Sequence, residues 1–395
     1  MALSETGIKT AVVHRLKSLS KQDRHRIRRV LEGPQGTIIR LNGNDVYNFC
    51  SNDYLGFANH PVLKEALKQG VEKYGVGSGA SQLICGYSAA HKMLEEKLAD
   101  FTGRKRAILF SSGYMANLAL VNTLLDKGGI VFADRLNHAS LLDAALIAQT
   151  KIKRFKHIDS INLETLLQKA EPCQKLVMTD TVFSMDGDIA PLPEYIPVCR
   201  ETQALLMVDD AHGFGVFGNK GAGMLEEYDL GTEEVPLLMA TFGKALGTFG
   251  SFIAGDSELL EIFVQRARTL IYTTAPPPAL AHATCCALDL LVQEQWRRKK
   301  LQQLISQFTT GARQLGLPIK QSVSPIQALV VGEEKIAVDI SNRLLQKGIY
   351  ISAIRPPTVP VGTSRLRITL TAEHTESQVN QLLEALGDLL VAGNV

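Results

Sequence analysis

One lysine stands among glycines in the run Leu237-Leu-Met-Ala-Thr241-Phe-Gly-Lys244-Ala-Leu-Gly247-Thr-Phe-Gly250, directly after a fully apolar stretch. A lysine in such a tight, partly desolvated turn can have its amine pKa lowered, which suits Schiff-base chemistry. The glycines allow the backbone to pass close to a flat ring and a phosphate. The bland alternative is a surface lysine in a glycine-rich turn. About 35 positions upstream, Leu205-Leu-Met-Val-Asp209-Asp-Ala-His212-Gly runs from an apolar strand into two carboxylates and an imidazole. Ligands of open α/β sheets bind at the carboxyl ends of strands, and adjacent buried acids are costly unless paired or used. A capped strand-to-turn transition is the structural alternative there. Together, a lysine for a Schiff base and an acid to keep a pyridine nitrogen protonated are what pyridoxal 5′-phosphate (PLP) requires.

A rival motif overlaps the second run. Gly213-Phe-Gly215-Val-Phe-Gly218 formally matches the dinucleotide-binding pattern. It follows a strand, but Asn219-Lys-Gly-Ala-Gly223 continues as loop instead of opening a helix, and the motif lies past mid-chain.

Three further polar turns follow apolar runs. Ser111-Ser-Gly113-Tyr114-Met-Ala-Asn117 opens a helix, where free N–H groups and the positive dipole end can seat a phosphate; ordinary serine N-capping is the alternative. No Walker loop occurs. His138 precedes a helix in Leu136-Asn-His-Ala-Ser-Leu, and Ser184 lies in Thr181-Val-Phe-Ser-Met-Asp-Gly187. His91, in a helical pattern with Leu94, Leu98 and Phe101, reads as a satisfied core residue. The remaining histidines lack ligand-like spacing, so no metal site is expected.

These turns need strands to carry them. Apolar runs at 107–110, 130–133, 152–155, 175–179, 205–208, 237–240 and 251–254 alternate with helical patterns at 89–101, 115–125, 140–148 and 163–170. The alternation predicts an α/β fold with a mostly parallel, seven-stranded sheet covered on both faces. A helical arm over residues 1–45, ending in the turn Asn42-Gly-Asn-Asp45, precedes a large domain over 46–285. Residues 286–395 read as a smaller α+β domain, reached through Pro276-Pro-Pro278 and one long helical stretch at 279–315. Thr375-x-x-Gln378 resembles a capping box opening the last helix.

Composition narrows the class. Of 395 residues, 45% are hydrophobic and 21% charged, an ordinary globular balance. Lys and Arg number 42 against 40 Asp and Glu, so net charge +2 argues against nucleic-acid binding. The basic cluster Arg24–Arg29 reads first as a solvated face, second as an anion or acyl-carrier contact. Six cysteines without a C-x-x-C pair imply neither zinc nor a disulfide framework, and no apolar run is long enough for a membrane span. With no signal-like start at Met1–Thr6, a cytoplasmic location is expected.

Asp209-Asp-Ala-His212-Gly, Thr241-Phe-Gly-Lys244 and Ser51-Asn-Asp-Tyr-Leu-Gly56 resemble the α-oxoamine synthases, fold-type I PLP enzymes that condense an amino acid with an acyl thioester and lose CO2. The likeness runs from about Asn48 to His374 and is fainter in the N-terminal arm. The stretch from Ala353 to His374, with Arg355-Pro-Pro-Thr358 and Arg367, is similar to the branch that makes 8-amino-7-oxononanoate for biotin. Branches such as 2-amino-3-ketobutyrate CoA ligase (glycine C-acetyltransferase) diverge there and stay as the alternative. The resemblance implies L-alanine and a pimeloyl thioester, on CoA or acyl-carrier protein, as substrates, and a homodimer with shared active sites. It implies Lys244 as Schiff-base lysine and Cα base, Asp209 as partner of the pyridine nitrogen, and His138 as the imidazole stacked on the ring. His212 and Ser184 would contact the ring oxygen; Gly113, Tyr114 and Thr241 would contact the cofactor and its phosphate. Thr273 or Thr274 would reach the neighbouring subunit's phosphate. Arg367 would hold the amino-acid carboxylate, and Asn52, Arg26 and Thr358 would contact substrate.

Overall fold

The computed structural model describes residues 7–390, which form two compact units. One contains residues 7–51, Met185–Gly187 and residues 301–390; the other contains Asn52–Ser184 and Asp188–Lys300. That residues 7–51 share a unit with the last quarter of the chain is not carried by periodicity along the sequence.

In the first unit, the helix Ile8–Lys21 fills only part of the expected helical arm. Gly33-Pro34 and Gly36 follow it, and proline and glycine both oppose continued helix. Strands β1 (Ile38–Leu41) and β2 (Asn44–Asn48) then form an antiparallel hairpin. Its turn places Asn42 at φ 50° and Gly43 at φ 81°, the two positive values that a tight primed turn needs.

The second unit is built on strands β3 (Arg106–Phe110), β4 (Ile130–Asp134), β5 (Lys151–Phe155), β6 (Lys175–Asp180), β7 (Leu205–Asp209), β8 (Leu237–Thr241) and β9 (Ser251–Gly255). They form one sheet in the order β3-β9-β8-β7-β6-β4-β5. Only β9 runs antiparallel to its neighbours, so the sheet is the expected seven-stranded, mostly parallel one. Helices cover both faces, which is why Val131 with Phe132, Val177 with Met178, and Met207 with Val208 are all buried although neighbours in sequence point to opposite sides. The helices Gly113–Leu124 and Ala139–Ile147 pack on each other and on the sheet through Ala116, Leu120, Leu141 and Ala144. Burying each large aliphatic side chain contributes about 1.5–3 kcal/mol. β4 leads outward to β5, while β6 returns to the other side of β4, so strand order reverses between β4 and β6. Such a reversal opens a crevice at the carboxyl ends of the strands.

The long helical stretch expected at 279–315 is two helices, Pro278–Gln293 and Gln295–Gln314. Glu294 (φ −101°, ψ 47°) leaves helical geometry, and its carboxylate pairs with Arg297 and with His60 at 3.4 Å, tying the turn down. Beyond it, the first unit resumes with β10 (Ile326–Gly332), β11 (Ile349–Tyr350), β12 (Ser352–Ile354) and β13 (Ser364–Thr369). β10, β13 and β12 form a small antiparallel sheet, and β11 pairs with β2. The last helix, Glu376–Leu390, opens with the expected capping box: Gln378 N–H donates to Thr375 Oγ1 (3.2 Å), and Thr375 N–H donates to Gln378 Oε1 (3.0 Å). Among the described residues, the six cysteines are free thiols, no group of side chains could hold a metal ion, and no helix is long and apolar enough to cross a membrane. Residues 1–6, read as lacking a signal, lie outside the described residues.

Candidate active site

Strands β6 and β7 are parallel neighbours whose last residues, Asp180 and Asp209, stand opposite each other in register. Both are buried. Asp209 Oδ2 accepts from Asn117 Nδ2 at 2.8 Å, and Oδ1 accepts from Ala211 N–H at 3.0 Å. The Asn117 amide also donates to Ser140 Oγ (2.8 Å), which meets His138 Nδ1 at 2.7 Å. His138 N–H in turn donates to Asp180 Oδ2 at 2.7 Å. The sequence places His138 as the cap of the helix Ala139–Ile147, and its ring position follows from that turn. Burial pushes the His138 imidazole below its usual pKa; the charge of Asp209 opposes this and that of Lys244 adds to it. Near neutral pH the ring is therefore uncharged, and both Asp209 and Lys244 lie within electrostatic reach of it.

Lys244 sits in the turn between β8 and β9, where Thr241 Oγ1 donates to Gly250 O at 2.9 Å and Gly247 N–H donates to Lys244 O at 3.0 Å. Gly247 has φ 63°, and a Cβ there would strike the backbone of Phe57 and Ala58. The turn is thereby seated on the segment after Asn52-Asp-Tyr54. Lys244 Nζ lies 2.8 Å from His212 Nε2, and His212 Nδ1 lies 2.6 Å from Tyr54 Oη. Tyr54 Oη is also 3.3 Å from Asn52 Oδ1, so Asn52, Tyr54, His212 and Lys244 form one line of polar contacts.

Asp210, next to Asp209, faces the other way. It is fully buried, accepts from Thr181 Oγ1 and from Met224 N–H (2.9 Å), and burial pushes its carboxyl up to about 7. Gly213 and Gly223 lie hard against this carboxyl, where any Cβ would collide with it. The glycine run that mimics a dinucleotide motif is thus spent on packing: residues 211–221 are turns and bends, and the next helix, Met224–Glu227, is one turn long.

The other expected cofactor residues lie in the same unit. Gly113 and Tyr114 begin the helix Gly113–Leu124, with Ser112 Oγ accepting from Met115 N–H; Tyr114 Oη donates to Asp143 Oδ2 at 2.5 Å. Ser184 is half-buried in the turn after β6. Thr274 makes an isolated bridge to Ser81, with Thr273 beside it. His91 is buried and satisfied, with Ser88 N–H on Nδ1 (3.0 Å) and Pro276 O 2.7 Å from Nε2. Arg26, Thr358 and Arg367 belong to the first unit. Arg26 donates to Thr358 Oγ1 at 3.4 Å, while Arg367, buried on β13, donates to Thr369 Oγ1 at 3.1 Å.

Sequence reasoning gave no role to Tyr54, Asn117, Ser140, Asp180 or Asp210. Tyr54 and Asn117 stand inside motifs that do carry a signal; Asp180 closes an apolar run just as Asp209 does.

The donor set fits PLP. Lys244 offers a primary amine to a carbonyl carbon, and Asp209 offers a buried carboxylate to a pyridinium N–H. Among the described residues, the buried Asn117 Oδ1 beside Asp209 has no hydrogen-bond partner. The start of the helix Gly113–Leu124 supplies N–H groups suited to a phosphate.

The family described as aminotransferase class I and II matches residues 44–386. An 8-amino-7-oxononanoate synthase of Nitrosococcus oceani is 54% identical over 375 residues, covering 95% of this chain and 100% of its own. That of Methylococcus capsulatus is 53% identical over 373 residues, covering 94% and 96%. A serine palmitoyltransferase structure with PLP superposes with a TM-score of 0.91 at 30% identity, covering 99% of both chains. The fold is fold-type I of the PLP-dependent transferases, and the cofactor is PLP. Identity above one half separates one branch from the 30% seen with the serine enzyme. The chain belongs to the class I and II aminotransferase family and, within it, to the 8-amino-7-oxononanoate synthases, PLP-dependent acyltransferases of biotin biosynthesis.

Proposed function

We propose that the enzyme joins L-alanine to a pimeloyl thioester, carried by CoA or by acyl-carrier protein, giving 8-amino-7-oxononanoate, CO2 and the free thiol. The observation that carries this reading is the end-to-end identity of 53–54% with synthases of that product. We place it in the cytoplasm as a homodimer, with Thr273 or Thr274 reaching the phosphate of the neighbouring subunit.

Bound PLP supplies an electron sink that makes the bonds to the amino-acid Cα labile. Lys244 would anchor it, Asp209 would pair with its ring nitrogen, His138 would stack on its ring, and His212 with Ser184 would contact its ring oxygen. Gly113, Tyr114 and Thr241 would hold it and its phosphate. Arg367 binds the alanine carboxylate by a charge-assisted pair, and Asn52, Arg26 and Thr358 contact substrate. Lys244 Nζ takes the Cα proton of alanine as general base; Cα then bonds to the thioester carbonyl carbon and the thiolate leaves. The carboxylate departs as CO2 beside His138, whose uncharged ring does not hold it back by ion pairing. Lys244 Nζ returns a proton to Cα.

Purified enzyme given L-alanine with pimeloyl-CoA or pimeloyl-acyl-carrier protein should form 8-amino-7-oxononanoate, read by mass spectrometry. Faster condensation of glycine with acetyl-CoA, or of serine with a long-chain acyl-CoA, would overturn the assignment.

A further inference from the structure

The two ring nitrogens of His212 face different groups, Nδ1 towards Tyr54 Oη at 2.6 Å and Nε2 towards Lys244 Nζ at 2.8 Å. A neutral imidazole carries one N–H, so whatever Tyr54 does at Nδ1 fixes what Nε2 offers at the other side. The Tyr54 hydroxyl carries one proton, and His212 Nδ1 and Asn52 Oδ1 both lie within its reach. Its 3.3 Å to Asn52 Oδ1 exceeds the usual O–H···O range of about 2.5–3.0 Å, whereas 2.6 Å to His212 is a short, strong geometry. The proton therefore goes to Nδ1. Tyr54 is wholly buried and His212 nearly so, which keeps this arrangement from being exchanged for water.

We infer that Tyr54 is a positioning residue: its hydroxyl holds His212 in the Nε2–H form, so that His212 presents a donor to the Lys244 side of the site. A donor facing Lys244 Nζ favours the uncharged amine, the form that can accept a proton. The opposite form, with the proton on Nδ1, would present a lone pair and favour the ammonium. The inference rests on the reading of Lys244 as the cofactor lysine and goes beyond it by naming the residue that sets the neighbouring tautomer.

The test is 15N NMR of the holoenzyme labelled at histidine, with the His212 signals identified by their loss in His212→Asn. The wild type should show the Nε2–H tautomer; an Nδ1–H tautomer would overturn the inference. Tyr54→Phe should lose that preference and slow Cα-proton exchange of L-alanine about tenfold, the worth of one charge-linked hydrogen bond, while retaining its PLP. An unchanged tautomer and exchange rate in that variant would also overturn it. If Tyr54→Phe does not fold, the wild-type spectrum decides alone. Borohydride reduction and peptide mapping separate the two readings: a label on another lysine removes Lys244 from its role whatever the tautomer of His212.

Discussion

Asp180 and Asp209 close neighbouring parallel strands directly opposite each other, two buried carboxyls at the ends of β6 and β7. Two like charges so placed cannot both be held cheaply. Burial first, and then the charge of Asp209, pushes the Asp180 carboxyl well above the usual range. Burial and the neighbouring charge thus favour the protonated form of Asp180.

Asp180→Asn should then be well tolerated. The amide oxygen still accepts from His138 N–H, so turnover should stay within about tenfold of wild type. A carboxyl whose folded pKa is raised binds more protons folded than unfolded, so it destabilises the fold progressively as pH rises from the usual carboxylate range towards the raised value. The variant lacks this term, and its melting temperature should fall less than that of wild type between pH 5 and pH 8. Parallel melting curves across that range would show that Asp180 is charged in the folded enzyme.

Asp209→Asn should behave oppositely. An amide cannot balance a pyridinium charge, so Cα-proton exchange of L-alanine, followed by NMR in D2O, should slow by about 10²-fold or more. Lys244→Ala should abolish turnover and the covalent PLP absorbance together. Normal exchange in Asp209→Asn would remove that residue from its proposed role.

Much of this site could be read from local sequence, and the unread part has a physical reason. β7 and β8 are apolar runs that end in polar turns, so Asp209, His212 and Lys244, taken together, are legible from local sequence. Tyr54 and Asn117 matter through contacts with residues far along the chain, His212 and Asp209, which the sheet order creates. The pairing of Asp180 with Asp209 depends on strand register, which no single run encodes. The helix break at Glu294 is equally tertiary, since it is held by His60 and Arg297 and not by a glycine or proline.

The turn carrying Lys244 should be unusually sensitive at Gly247. Gly247 and Gly128 both have positive φ, 63° and 95°, but a Cβ at Gly128 meets nothing within 4 Å, while one at Gly247 strikes the backbone of Phe57 and Ala58. Gly128→Ala should cost about 1–2 kcal/mol of conformational strain. Gly247→Ala should cost more and also displace Lys244, visible as weaker PLP retention on dialysis. Equal losses in the two variants, with PLP kept in both, would show that the contact with Phe57 and Ala58 relaxes freely.

His157 supplies a pH-dependent clamp beside the same strand ends. Nδ1 lies 3.0 Å from Asp134 Oδ1 and Nε2 lies 2.8 Å from Asp188 Oδ2, while the ring packs edge-on against Phe183. Burial opposes the charged ring, but hydrogen bonds to the two carboxylates outweigh it and bring the pKa up to about 9. Asp134 also accepts from Leu136 and Ile158 N–H groups, both at 2.8 Å, so its position is fixed independently. A histidine raised from its usual value near 6.5 adds stability that is complete below that value and disappears as pH rises through about 9. The contribution amounts to about 3 kcal/mol at most. His157→Gln should therefore melt several degrees below wild type at pH 6, and the gap should narrow steadily to a small residue above pH 9. A gap of equal size at pH 6 and pH 10 would assign the loss to packing against Phe183 instead of charge. Because Asp188 O accepts from Phe183 N–H at 2.9 Å, next to Ser184, weaker PLP retention should accompany the loss at low pH.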